Sequence, residues 1–253
     1  MQCEAMEHNV TAVFVGGAGQ NIHERLGDRF PKIKTICLNT NAEHLKTSSA
    51  DLRIQLGKGV ALGRDCLLPE IGECCAEKCR QEIAEALEGS DLVFIITGLG
   101  GGTSSGVSPF VTALTRQMEM PTIGIAIMPF SQEGPARRAV AEAALSAMRE
   151  HTILTIAVEN DSIHRLSKHP ESLTFREGMA MVDEIVLRIL TWICELATKP
   201  YEEPVHRIME SEQGFEPLEP RTENVEVPRD VAFAADGSPM NPGAEDVNSE
   251  PQM

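Results

Sequence analysis

The chain has 253 residues, enough for one large domain or two small ones, and its 42% apolar share supplies a core that must be aliphatic because aromatics make up only 4%. A formal net charge of −16 argues against non-specific nucleic-acid binding and against an anionic membrane surface, since both select basic chains. The opening residues lack a basic region followed by an apolar run, and nowhere does an apolar run reach the ~20 residues of a membrane helix, so the seven cysteines are expected as reduced thiols in the cytosol.

After an N-terminal tail at 1–8, the first element is a short β-branched apolar burst, Val10–Val15, which has the pattern of a strand buried on both faces. Gly16-Gly17-Ala18-Gly19-Gln20-Asn21 follows at once and opens an amphipathic stretch at 21–30. A second burst at 33–38 leads into Asn39-Thr40-Asn41. Beyond the segment Gly63-Arg64-Asp65-Cys66-Leu67-Leu68-Pro69-Glu70, helical spacing predicts one helix over 71–87. A third burst at 92–97 runs into Gly98-Leu99-Gly100-Gly101-Gly102-Thr103-Ser104-Ser105-Gly106 and a helix at 105–118. A fourth burst at 122–127 precedes Pro129-Phe130-Ser131-Gln132-Glu133-Gly134-Pro135-Ala136-Arg137 and a helix at 135–150, and a fifth occupies 153–158. A long helix spans 175–197, its apolar residues on the 3.6 period, with Trp192 expected to be packed and Lys199-Pro200 to end it.

Beyond Pro200 the composition changes: residues 201–253 carry 13 acidic and 3 basic side chains, with seven prolines from Pro204 onward. This is read as an acidic, proline-rich, mostly disordered tail that serves as a solubilising spacer, with local docking reserved for 208–215.

Strands alternating with helices predict an α/β fold, a three-layer Rossmann-like parallel sheet with helices on both faces, ending in the long helix. Ligands on such sheets sit beyond the carboxyl ends of the strands. Both glycine-rich turns stand there, where the lack of Cβ lets an anion approach the backbone and the following helix start holds it. Thr103, Ser104 and Ser105 add hydroxyls. A single such turn is as often a packing device as a binding loop, but two in one sheet favour phosphate binding. A Walker loop requires a lysine that is missing here, and neither turn completes Gly-x-Gly-x-x-Gly, so a dinucleotide-binding oxidoreductase stands only as an alternative.

The second turn resembles the Gly-Gly-Gly-Thr-Gly-Ser/Thr-Gly signature of the tubulin/FtsZ superfamily, with Ser104 at its fifth position, and is closer to FtsZ than to eukaryotic tubulin. The other segments follow in the family's order: the first glycine turn, Asn39-Thr40-Asn41-Ala42, Pro129 through Arg137, and Glu195-Leu196-Ala197-Thr198-Lys199-Pro200. The resemblance covers about 9–200. It implies GTP or GDP as ligand, with Mg2+ an optional companion. Gly17, Ala18, Gly19, Gln20 and Asn21 with Gly100, Gly101, Gly102, Thr103, Ser104, Ser105 and Gly106 would hold the phosphates, Glu133 the ribose, and Arg137 would lie by ribose or base. Asn21 and Asp183, or its neighbour Glu184, occupy base-reading positions.

The same resemblance exposes departures. Where FtsZ carries Asn-x-Asp-x-x-Asp after the long helix, this chain has Tyr201-Glu202-Glu203-Pro204-Val205-His206-Arg207-Ile208-Met209, and the residues left are too few for the family's second domain. These departures imply a role in cell division or filament assembly in which hydrolysis is absent or borrowed from a partner's acidic loop. The expected partners are FtsZ-type or other filament-forming proteins, with homo-oligomers also open, and neither nucleic acid nor membrane insertion is expected. A self-sufficient GTPase is the alternative. Arg64 is read as an exposed loop residue in preference to a phosphate-side cation. Cys66, Cys74, Cys75 and Cys79 are read as packed thiols in preference to a metal site, lacking Cys-x2-Cys pairs. His164 and His169 show no catalytic partner.

Overall fold

In a computed structural model, residues 9–29, 33–162 and 175–198 are described. The chain divides between Tyr201 and Glu202, and the fold below is that of the first unit. The tail, the 202–209 segment, His164 and His169 lie outside the described residues.

Six parallel strands form one sheet: β1 (Val10–Val15), β2 (Lys34–Asn39), β3 (Leu52–Gln55), β4 (Leu92–Gly98), β5 (Thr122–Met128) and β6 (Leu154–Glu159). Their order is β3-β2-β1-β4-β5-β6. The helices are α1 (Gly16–Leu26), α2 (Ala42–Lys46), α3 (Pro69–Lys78), α4 (Arg80–Leu87), α5 (Gly102–Gln117), α6 (Pro135–Arg149) and α7 (Phe175–Thr198).

The three layers follow from strand alternation. Val13 and Val15 of β1 point into a core shared with α3, α4, α5 and α6, through residues such as Cys75, Ile83, Val107 and Leu145. Ala12 and Phe14, one position over, point into the opposite core, where Ile22 and Leu26 of α1 meet Val182, Val186 and Leu190 of α7. Apolar side chains on both faces explain why the central strands read as continuous bursts.

One strand was not anticipated and three expectations are corrected. β3 carries no apolar burst: Ile54 is its one buried residue, because it is a short edge strand that faces solvent on most sides. The helix predicted over 71–87 is two, divided at Cys79, whose backbone leaves the helical region. The first helix starts at Gly16, not Asn21, so the glycine turn is its first turn. Trp192 is not packed but 62% exposed.

Candidate functional site

The chain runs outward from β1 to β2 and β3, then returns to place β4 on the other side of β1. The crevice beyond the carboxyl ends of β1 and β4 is therefore the switch point of the sheet, where ligands of doubly wound folds sit. Each of these strands feeds directly into a helix. α1 is capped by Val15 and α5 by Gly101, and in neither does a side chain bond the first-turn amides. Both helix starts thus present N–H groups and the positive end of the helix dipole to the crevice. The two turns touch: a Cβ on Gly16 (φ +71°) would stand 3.2 Å from Cβ of Ser104.

The second glycine run serves two purposes. Gly100 (φ +101°) is left-handed, and a Cβ there would meet the Arg137 side chain at 2.8 Å. Gly101 is open, its nearest neighbour Oγ of Ser104 at 3.5 Å. Gly102 and Gly106 face away from the crevice, into the neighbouring layer. A Cβ on Gly102 would lie 2.5 Å from the Cys66 carbonyl oxygen, and one on Gly106 only 1.9 Å from that of Pro69. These two glycines let α5 lie against α3 and the segment before it. The hydroxyls divide likewise. Thr103 Oγ1 bonds Thr40 Oγ1 (2.8 Å) and accepts from the Cys66 amide (3.2 Å), and Ser105 Oγ accepts from the Gly100 amide (2.8 Å). That leaves Ser104 as the hydroxyl of the three not engaged with these neighbours.

A cavity of about 680 Å³ opens at the crevice, within the range of small-molecule sites. Ala18, Asn21, Gly98, Glu133 and Arg137 line it. Glu133 is fixed twice: its Oε1 accepts from the Phe130 amide (2.9 Å) and its Oε2 pairs with Arg137 Nε (2.9 Å). Asn21 Oδ1 is 3.0 Å from His44 Nε2. Gln20 is buried and turned away, donating to the His44 carbonyl (2.6 Å) and accepting from Asn39 (3.0 Å), so its side chain fastens α1 to the turn after β2. Asn41 Oδ1 caps α2 at the His44 amide. Arg64 is exposed.

Asp183 lines an adjacent cavity with Arg29 and Glu184, and both its oxygens are engaged by Arg25, from Nε and from Nη2 (2.8 Å). Arg25 lines both cavities. The pairing that holds Asp183 is thus between α1 and α7, at the boundary of the main cavity.

Asn160 was missed from sequence. It is buried, lines the main cavity, and its Oδ1 has no hydrogen-bond partner among the described residues. An orphaned buried acceptor costs free energy unless a ligand supplies the donor. The available signal was positional: Asn160 directly follows the carboxyl end of β6, although the strand itself was legible.

The cysteines near the loop differ in exposure. Cys66 and Cys75 are buried, Cys74 is exposed and Cys79 is in between. Burial pushes the Cys75 thiol up to about 11, reinforced by the neighbouring Cys66. Among the described residues, no group of three or more His, Cys, Asp and Glu side chains is placed for a metal ion.

Comparison with known proteins fits this geometry. The model of the Tubulin/FtsZ family, GTPase domain, matches residues 9–168. The chain is 39% identical over 197 residues to a cell division protein FtsZ of Haloferax mediterranei, covering 77% of this chain and 52% of that protein. It is 37% identical over 197 residues to cell division protein FtsZ 1 of Archaeoglobus fulgidus, covering 76% and 52%. The chain spans about half the length of the curated relatives it matches. Among solved structures, an empty FtsZ dimer from M. jannaschii superposes with a TM-score of 0.71 at 30% identity, over 77% of this chain and 57% of that one. CetZ2 from Haloferax volcanii, a GTPγS-bound protofilament, shares the fold with a TM-score of 0.67 at 20% identity, over 79% and 62%.

Proposed function

This chain belongs to the Tubulin/FtsZ family, in its GTPase domain, and on that premise we propose that it binds GTP or GDP in the crevice between β1 and β4 and acts with filament-forming relatives in cell division or cytoskeletal assembly. The observation that carries this reading is the pair of helix starts without side-chain caps, α1 and α5, which touch at the switch point between adjacent strands, with α1 lining the cavity beside them. The phosphates rest on the backbone amides of 17–21 and 100–104, the ribose on Glu133 and Arg137, and the base toward Asn21, Asn160 and Asp183. Each Asp183 oxygen keeps a second lone pair beyond its bond to Arg25, so the carboxylate can accept from a base edge with that ion pair in place. Gly102, Thr103, Ser105 and Gly106 act by holding the loop in shape. A Mg2+ ion arriving with the nucleotide takes its ligands from phosphate oxygens, hydroxyls and water, as this small hard cation usually does.

Hydrolysis depends on a partner. Among the described residues lining the cavity, Glu133 is the one carboxylate, and it is committed to Arg137 and the Phe130 amide. Glu133 is therefore not free to act as a base on an attacking water. Acidic side chains from a filament-forming relative, stacked on the nucleotide face, would supply that function.

The test is to titrate GTP and GDP onto the chain and to follow phosphate release, first alone and then with a full-length FtsZ of the same organism. Binding without appreciable turnover alone, with turnover restored by the relative in excess of the relative's own rate, is the expected outcome. Full turnover by the isolated chain establishes a self-sufficient GTPase instead. Binding of NAD in place of guanine nucleotides overturns the ligand assignment.

A further inference from the structure

The hydroxyls of α5 find partners within the fold, with one exception. Thr103 Oγ1 is held by Thr40 and the Cys66 amide, Ser105 Oγ by the Gly100 amide, and Ser108 Oγ donates to Thr97 Oγ1 (2.9 Å). Thr112 and Thr115 turn back onto carbonyls three residues earlier, at 2.7 and 2.9 Å, the usual outlet for a hydroxyl inside a helix. Ser104 is as buried as these, 7% exposed, yet its hydroxyl bonds nothing among the described residues. Its direction is given by two contacts. The Ser104 Cβ faces the first glycine turn, 3.2 Å from where a Cβ on Gly16 would stand. The Ser104 Oγ faces the room left open at Gly101, where it is the nearest atom to an added Cβ, at 3.5 Å. The hydroxyl therefore stands where the two helix starts touch, on the open side. Ser104 is also the third residue of α5, so its own amide is one of the first-turn N–H groups without a helical acceptor.

On the reading of this crevice as a nucleotide site, we propose that the Ser104 hydroxyl is itself a phosphate ligand, and that it makes the chain slow to release its guanine nucleotide. The signature carries glycine at this position, so a loop with the signature's own residue offers backbone amides alone. Here one residue presents two protons, from amide and hydroxyl, to the same anion. A buried hydroxyl without a partner is unfavourable, and a phosphate oxygen supplies the missing acceptor. A hydrogen bond to a charged acceptor is stronger than one between neutral groups, enough to change affinity by about tenfold. Because the bond exists only in the complex, it acts on dissociation and leaves association nearly unchanged.

Two variants of the full chain separate the hydroxyl from the carbon that carries it. Ser104→Ala keeps the Cβ beside Gly16 and removes the oxygen, whereas Ser104→Gly removes both. The experiment is release of a fluorescent GDP analogue, chased with excess GDP in stopped flow, in Mg2+ and again in EDTA. Both variants should release it about tenfold faster than the parent, with association within about twofold, and by the same factor in the two buffers. Guanosine, which has no phosphate, should bind parent and variants alike, as read from broadening of its own proton resonances. A merely structural role for Ser104 would weaken guanosine as well. Unchanged release from Ser104→Ala, or a loss shared by guanosine, overturns the proposal. A loss confined to the Mg2+ buffer also overturns it and makes the hydroxyl a metal ligand instead. A parent chain that binds no GDP overturns the nucleotide reading of the crevice itself, an outcome distinct from a parent that binds and a Ser104→Ala that matches it.

Discussion

The glycines of the second loop differ in what an added methyl group would touch. At Gly106 it would run into backbone, the Pro69 carbonyl at 1.9 Å and the Glu73 amide at 2.7 Å, neither of which can swing aside. At Gly101 it would meet one hydroxyl at 3.5 Å, from a backbone with φ −97° that any residue adopts. Gly106→Ala should therefore lower unfolding free energy by about 2 kcal/mol, whereas Gly101→Ala should change it by less than about 0.5 kcal/mol. The order reverses for affinity: GDP titration at a temperature where both variants are folded should show the greater loss for Gly101→Ala. Sequence made the loop legible as a whole because glycine marks close approach, but close approach to what is a tertiary fact. Gln20 is the same lesson: its place in the motif suggested a ligand contact, and its side chain bonds Asn39 and His44 instead. Asn160 was invisible for the complementary reason, since one asparagine after a strand carries no local pattern.

Elements were legible wherever the strand is apolar along its length, as in the central strands and in the edge strand β6, although Val158 is the one buried residue of β6. β1, β2, β4, β5 and β6 all appear as apolar bursts, displaced by at most one residue at either end. β3, with one buried side chain, gave no such signal and is held in large part by its neighbour. Asp51, just before β3, accepts from the Thr35 amide and hydroxyl of β2, each at 2.8 Å. These hydrogen bonds, the backbone one foremost, hold its carboxyl below the usual 3.8. A depressed folded value means that the stabilisation is present above the unfolded pKa and is lost as pH falls through the folded one. Asp51→Asn should thus be less stable than the parent by about 1 kcal/mol near neutrality, and the gap in urea midpoint should close as the pH falls through the lowered pKa of Asp51. The division of α3 from α4 escaped sequence reading because both halves keep one apolar phase, and the break at Cys79 needs neither glycine nor proline.

At the scale of the molecule, the bound ligand should tie together parts that the sheet holds only indirectly. The cavity of the proposed site draws on α1, the end of β4, the turn before α6, the residue after β6 and the start of α7. A ligand that binds only the folded chain at a hundred times its dissociation constant adds about 2.7 kcal/mol, which for a chain of this size raises the melting temperature by about 5–10 °C. GDP and GTP should produce that shift in a thermal melt, and ATP at the same concentration should not. Within the described residues, no helix is long and apolar enough to cross a membrane.

The divided labour of the glycine run bears on how such chains change over generations. A descendant that had lost its nucleotide would still be held to Gly102 and Gly106, because α5 could not otherwise lie against the 66–69 segment and α3. Gly100, with φ +101° and Arg137 standing where a Cβ would be, would be held as well, and Gly101 alone would be free to drift. Most of the signature can therefore outlive the activity it advertises, and in any relative the informative position is the one matching Gly101.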